Sequence, residues 1–309
     1  MPSDPIIASA PGSLMLLGEH AVLHGRRALV AAINQRLRVT LIPRTDSKVE
    51  IESALAHHAT TLEQLTPHPQ LRFIMEAVTR ARANFSSGFT LQIASDFSHT
   101  IGFGSSAAVT VATVAVLQKY YANNFYLDAI CDEAIAVIRA VQGRGSGADV
   151  AASTYGGVVA YRATPREALK LDTPLTLCAV YAGYKTPTPE VIRRVDEMWS
   201  GRQAALAIIY GQMDTCSAEG IAALEKNDHA EFGRVLNRGQ RLMEELGVNT
   251  PELEQIIRAL RADAGISGAK ISGSGMGDCA IGLGELKKAL EGFDPIQIRT
   301  SPNGVSISP

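Results

Sequence analysis

The stretch Gly102-Phe103-Gly104-Ser105-Ser106-Ala107-Ala108 sets two glycines before two adjacent serines, at the mouth of the apolar run Val109 to Leu117. Those residue types in that order are suited to holding phosphate. Glycines let the backbone curl and bring its N–H groups close to an anion. A helix opening there adds unpaired N–H groups and the positive end of a dipole. The hydroxyls of Ser105 and Ser106 can meet a phosphate oxygen or a magnesium ion. A Walker loop would require Gly-Lys-Ser/Thr at its end, and the lysine is missing. The letters Gly102-x-Gly104-x-x-Ala107 also fit a dinucleotide fingerprint, but that unit needs an acid closing a second strand about 20 residues on. Here that distance falls in Ala122-Asn123-Asn124-Phe125-Tyr126, a loop between helices. A plain helix-capping turn of small residues is the remaining alternative for the heptad alone.

A second cluster weakens that alternative. Lys270-Ile271-Ser272-Gly273-Ser274-Gly275-Met276-Gly277-Asp278-Cys279-Ala280-Ile281 places three alternate glycines between strand-like pieces. Glycine weakens a strand, so the backbone there must be bare or at positive φ for a reason. Two phosphate-suited loops in different parts of the chain point to a nucleotide in the cleft between them. In Gln142-Gly143-Arg144-Gly145-Ser146-Gly147-Ala148-Asp149 a third glycine cluster ends in an acid. A helix starting near Gly147 would put Asp149 in its first turn, where the dipole favours the carboxylate. Spacing alone favours mere support of that helix end, and Arg144 fits either a phosphate clamp or a solvent position. In Pro11 to Gly25 an apolar strand runs into Gly18-Glu19-His20. A Glu-His pair at a strand end can bind hydroxyls or orient a base, or be a surface turn. His57, His58, His68, His99 and His229 show no ligand spacing and are expected in surface or loop positions.

The elements that must carry these residues alternate irregularly. Leu37–Ile42 and Val49–Glu52 alternate as half-exposed strands, and Phe89–Ala94 is a further strand. Leu71 to Ala83 has helical spacing, with Phe73, Ile74, Ala77 and Val78 on one face. Asp128 to Val141 is a second helix, with Asp128 as its expected N-cap. Gly156–Tyr161 returns to strand. After Thr164-Pro165-Arg166 a second domain is expected, opening with strand Leu175–Tyr181 and continuing mainly as helix from Glu190 to Ala262. Within it lie a helix over Glu231–Leu246 and another with Thr250 as N-cap and Pro251 at N1. Lys270 to Leu283 reads strand, turn, strand, and Ile296–Ile298 and Val305–Ile307 are short strands. The chain is therefore α+β, with two lobes over 1–165 and 166–309.

At 309 residues, two domains suit the length. The 46% hydrophobic and 19% charged residues are those of an ordinary globular protein. A net charge of -2 gives no support for nucleic acid or an anionic membrane as partner. No run approaches the roughly 18 apolar residues of a membrane helix. Met1-Pro2-Ser3-Asp4-Pro5 lacks the basic start and apolar core of a signal peptide. Cys131, Cys178, Cys216 and Cys279 are scattered, without zinc spacing or a disulfide framework, which suits a reducing, cytoplasmic setting.

Taken in order, the segments resemble the GHMP kinases, small-molecule kinases acting on galactose, homoserine, mevalonate and phosphomevalonate. Pro11 to Gly25 is similar to the family's first motif, Ile101 to Ala108 to its ATP-phosphate loop, and Lys270 to Ile281 to its third motif. Gly18-Glu19-His20-Ala21-Val22-Leu23-His24-Gly25 and Ser153-Thr154-Tyr155-Gly156-Gly157 are most similar to mevalonate kinase, while Gln142 to Ala152 leans toward phosphomevalonate kinase.

The resemblance implies a two-lobed fold, with an N-terminal lobe like the second domain of ribosomal protein S5 and a ferredoxin-like α/β C-terminal lobe. It implies ATP and Mg2+ as cofactors and transfer of phosphate to the 5-hydroxyl of mevalonate. Asp149 matches the catalytic aspartate and overturns its bland reading. Ser106, or its neighbour Ser105, matches the serine on magnesium. Gly102, Gly104, Ser105, Ser106, Ala107, Gly273 and Gly275 fall to the nucleotide; Ser13, Glu19, His20 and Thr188 fall to the acceptor. Two departures stand out. Serine occupies position 13, where the family usually has lysine, and Ile138 stands where a magnesium-binding glutamate is usual; Glu133 lies five residues off and faces elsewhere. Arg144 or Lys185 is expected to supply the missing positive charge. Phosphomevalonate kinase, another GHMP kinase and a non-catalytic sensor of the same fold are the competing functions, and a homodimer is the assembly left open.

Overall fold

A computed structural model describes residues 4–98 and 101–308. His99 and the opening Met1-Pro2-Ser3 lie outside the described residues.

In chain order the first half comprises β1 (Ile6–Leu17), β2 (Ala28–Pro43), β3 (Lys48–Glu52), β4 (His57–Thr61), α1 (Arg72–Ala81), β5 (Phe89–Ser95), α2 (Ser105–Ala122), α3 (Leu127–Gln142), α4 (Ala148–Tyr155), β6 (Val158–Ala163) and β7 (Arg166–Leu171). The second half comprises β8 (Thr176–Tyr181), α5 (Thr188–Met198), α6 (Gln203–Glu225), α7 (His229–Leu246), α8 (Pro251–Ala262), β9 (Ile266–Ser272), β10 (Cys279–Gly284), β11 (Pro295–Arg299) and β12 (Ser306–Ser308). One sheet runs β12-β1-β2-β5-β3-β4, with β6 and β7 branching from β2; the other runs β11-β8-β10-β9. The chain is α+β, as expected.

The long strands β1 and β2 form a wall shared by two cores. Side chains alternate across a strand, so consecutive residues face opposite sides. Met15, Val30 and Ala32 join α1 to α4 in one core. Leu14, Leu16, Leu29, Ala31 and Ile33 join α6 to α8 and the second sheet in the other. This is why Leu14-Met15-Leu16-Leu17 and Ala28 to Ile33 carry no polar alternation: both faces are covered. Helix α2 is apolar on every side for the same reason, with Val111, Ala115 and Val116 fully enclosed.

Three boundaries differ from expectation. β7 lies beyond residue 165 yet pairs along its length with β6, and β12 pairs with β1, so the first sheet takes strands from both sides of that boundary. Asp128 is not the N-cap of α3: Tyr126 holds that place, and Asp128 sits in the first turn accepting a bond from the Tyr155 hydroxyl at 2.5 Å. Helix α1 spans a shorter range than Leu71 to Ala83, though Phe73, Ile74, Ala77 and Val78 are its buried face. Thr250 does cap α8, accepting from Leu253 N. The four cysteines are free and buried. Among the described residues, no helix is long and apolar enough to cross a membrane.

Candidate active site

Between the two lobes lies a cavity of about 770 Å3. Its wall includes the first turn of α2, the start of α4, the loop before α5 and the turn between β9 and β10. Helix α2 starts at Ser105, directly after Gly104 in the left-handed conformation at φ 66. No larger residue fits there, because a Cβ on Gly104 would fall 2.0 Å from Ser13 Oγ. Ser13 is in turn fixed by its own N–H, which donates to Phe103 O at 3.0 Å. Strand β1 and the glycine loop thus press a hydroxyl against the turn that opens α2.

That hydroxyl donates to Asp149 Oδ1 at 2.8 Å. Asp149 stands in the first turn of α4, after Gly147 at φ 89. Burial pushes its carboxyl above the usual range, while the Ser13 bond and the Lys185 ammonium pull the other way. The environment favours a carboxylate ready to take a proton over an inert one.

Lys185 pairs with Asp278 at 2.9 Å. Asp278 ends the glycine turn, itself in the left-handed region at φ 72, and its carboxylate lies over Gly102. A Cβ on Gly102 would be 1.9 Å from Asp278 Oδ1. Burial raises the Asp278 carboxyl, and the Lys185 charge offsets part of that. The two glycines before α2 are therefore bare for a common reason: Gly102 backs onto Asp278 and Gly104 onto Ser13 and, through it, Asp149.

At the other end of the cavity His20 holds a backbone at φ 58, and one ring nitrogen meets Ser274 O at 2.8 Å. A carbonyl only accepts, so Nε2 carries the proton and Nδ1 is left as an acceptor. Burial lowers the His20 pKa, keeping the ring neutral. The buried Glu19 carboxylate is engaged by Lys270, whose ammonium also meets Ile271 O. Burial presses the Lys270 pKa down and the Glu19 charge holds it up. Glu19 thus lines the cavity wall and, through Lys270, ties β1 to β9.

Of the residues singled out in the sequence, Ser13, Glu19, His20, Gly102, Gly104, Ser105, Ser106, Ala107, Arg144, Asp149, Lys185, Thr188 and Gly273 converge on this cavity. Gly273, Gly275 and Gly277 all have positive φ, at 95, 83 and 117. Gly275 nevertheless turns away from the cavity, toward Val248. Arg144 reaches the rim, where it pairs with Asp196 of α5 at 3.1 Å and stays largely exposed. There it bridges the two lobes. Ile138 is a buried part of the wall, and Glu133 is held outside by Arg80 at 2.6 Å. Asp278 and Lys270 are not marked out by residue spacing, although both lie inside the glycine cluster Lys270 to Ile281. A lysine between Ala269 and Ile271 in a buried strand demands an acid partner, and that demand was the available signal.

Residues 72–157 match the GHMP kinases N terminal domain and residues 221–295 the GHMP kinases C terminal family. Residues 2–43 match a galactokinase galactose-binding signature. The chain belongs to the GHMP kinase family, and it is a phosphotransferase of the kinase type. Within that family its similarity is to mevalonate kinases. That of Aeropyrum pernix is 32% identical, over 92% of this chain and 91% of its own length. That of Archaeoglobus fulgidus is 32% identical, over 93% and 95%. The solved mevalonate kinase of Methanococcus jannaschii shares the fold with a TM-score of 0.82, covering 97% of this chain and 100% of that one at 21% identity.

Proposed function

We propose that this protein transfers the γ-phosphoryl group of ATP to the 5-hydroxyl of mevalonate, yielding 5-phosphomevalonate and ADP. The observation that carries the reading is the contact of Ser13 with Asp149 at the base of a glycine-serine loop that opens an 18-residue helix. Its mevalonate kinase relatives support the acceptor.

Phosphoryl transfer calls for positioning and charge neutralisation more than covalent chemistry. The amides from Gly102 to Ala107 and the start of α2 cradle the β- and γ-phosphates. Asp149 takes the proton of the attacking hydroxyl, and Ser13 fixes which carboxylate oxygen faces the acceptor. Lys185 supplies positive charge beside Asp149, the role left open by serine at position 13. His20 Nδ1 accepts from an acceptor hydroxyl, and Thr188, the first residue of α5, faces the same space. Met15, Val22, Val150 and Ile192 give the cavity an apolar side for the methyl-bearing carbon of the acceptor. Arg144 draws the lobes together through Asp196.

The hydroxyls and carboxylates opening on the cavity are hard oxygen donors and fit magnesium, with Ser106 as its serine ligand. Held there, such an ion would supply positive charge to the polyphosphate.

A coupled ADP-release assay on mevalonate, phosphomevalonate, homoserine and galactose tests the reading. Turnover is expected with mevalonate at least tenfold above the other three. A preference for phosphomevalonate or galactose would replace the acceptor, and no release with any would remove the catalytic reading altogether.

A further inference from the structure

We propose that Asp278, on the turn between β9 and β10, is the carboxylate ligand of the divalent cation that accompanies the nucleotide. The assignment rests on the nucleotide reading of the site above and names a residue that the sequence motifs did not.

Three acids line the cavity: Glu19, Asp149 and Asp278. Glu19 is occupied by the buried Lys270 ammonium. Asp149 receives the Ser13 hydroxyl and stands where the acceptor proton must go. Asp278 has an oxygen to spare beside the glycine-serine loop. Its carboxylate pairs with Lys185 at 2.9 Å and lies beside the Gly102 N–H, yet Oδ1 is buried and, among the described residues, makes no hydrogen bond of good geometry. An acceptor oxygen buried without a donor costs about 1–3 kcal/mol, more when charged, and calls for an ion or water that satisfies it. That oxygen lies against Gly102, the first residue of the phosphate loop.

Charge points the same way. Lys185 is shared between Asp149 and Asp278, and of the two guanidiniums at the cavity Arg144 is paired with Asp196, so a polyphosphate would find little free positive charge beyond Arg72. A small hard cation held by one or two carboxylates plus phosphate oxygens resolves that. Ile138, at the same cavity, has no oxygen to offer, and Glu133 is bound to Arg80 on the outside. The Asp278 backbone is also pre-set to hold a ligand. Its N–H donates to Tyr184 O at 2.8 Å, and its carbonyl accepts from Ala182 N at 2.8 Å. The carboxylate is thereby carried on a clamped peptide, not a free loop tip.

The test is an electron paramagnetic resonance titration of Mn2+ into the protein with the non-hydrolysable ATP analogue AMPPNP, comparing wild type with Asp278→Asn. Asparagine tolerates the left-handed backbone at this position, so the turn is retained. Free Mn2+ is expected to rise in the variant, with the Mn2+ dissociation constant of the AMPPNP complex at least tenfold weaker. AMPPNP affinity in EDTA should be unchanged or tighter, because a negative charge has left the site. Should D278N prove unfolded by circular dichroism, D278S removes the same carboxylate and carries the same expectation. Wild-type Mn2+ affinity in a folded variant that binds AMPPNP overturns the assignment and leaves the kinase reading standing. Failure of the wild-type protein to bind AMPPNP overturns both.

Discussion

Replacing Asp149 with asparagine separates a catalytic carboxylate from a structural one, because the two roles move activity and stability in opposite directions. The substitution keeps the shape and the Ser13 contact but removes the proton acceptor. Loss of a general base typically costs about 10²–10⁴ in rate, which at about 1.4 kcal/mol per tenfold corresponds to roughly 3–5.5 kcal/mol in the barrier. Stability should rise at the same time. Burial raises the folded-state pKa of Asp149 above its unfolded value. A carboxyl shifted in that direction contributes stability below the unfolded pKa, and the contribution is lost as pH rises through the folded pKa. At neutral pH the buried charge therefore opposes folding, and asparagine relieves it. The measurements are kcat for ADP release at saturating substrates, AMPPNP affinity, and melting temperature at pH 7 and pH 4. We expect kcat to fall at least a hundredfold and AMPPNP binding to persist. The variant should melt higher than wild type at pH 7, with the difference narrowing at pH 4. A variant that turns over normally, or that loses activity only because it melts lower, would refute the role given to Asp149.

Further outcomes follow from neighbouring contacts. Ser13→Ala removes a hydrogen bond to a charged group, worth about 1.5–3 kcal/mol; it should lower kcat and move the acid limb of the kcat/KM profile to higher pH, since the bond stabilises the ionised form of Asp149. An acid limb that stays put would show that the hydroxyl does not act through Asp149. Lys270→Met strands the buried Glu19 and should cost about 3–5 kcal/mol in urea unfolding, whereas Glu19→Leu with Lys270→Met should recover most of it; additive losses would mean that the pair is not coupled. Gly104→Ala must hold a Cβ at φ 66 against Ser13 Oγ, a backbone cost of about 1–2 kcal/mol. Calorimetry should show AMPPNP binding weakened by roughly tenfold, and unchanged affinity would argue that the loop does not hold phosphate.

Much of the site was legible because glycine and serine patterns report backbone demands that act locally. Gly102, Gly104, Ser105 and Ser106 announced a tight loop opening a helix, and Gly147 before Asp149 announced a helix start; both are set by φ and by unpaired amides within a few residues. The apolar stretches of β1 and β2 and the encircling hydrophobicity of α2 likewise declared burial on every side. What each polar residue does once buried was another matter. Glu19 was expected at the acceptor and is tied up by Lys270, 251 positions away. Arg144 was expected among the catalytic charges and spans the cleft mouth to Asp196. Asp278 lay unnoticed in a glycine turn and comes to rest on Gly102.

The sequence by itself determined the class of fold, the glycine-serine turn that opens α2 and the place of Asp149 in the first turn of α4, since these rest on periodicity and on conformations that few residue types can adopt. Tertiary structure decided the partners. A carboxylate or an ammonium is specified by what neutralises it, and that neighbour arrives from another strand or the other lobe only when both cores close on β1 and β2. Packing therefore chose which acids were consumed in holding the wall together and which were left free to face the phosphates.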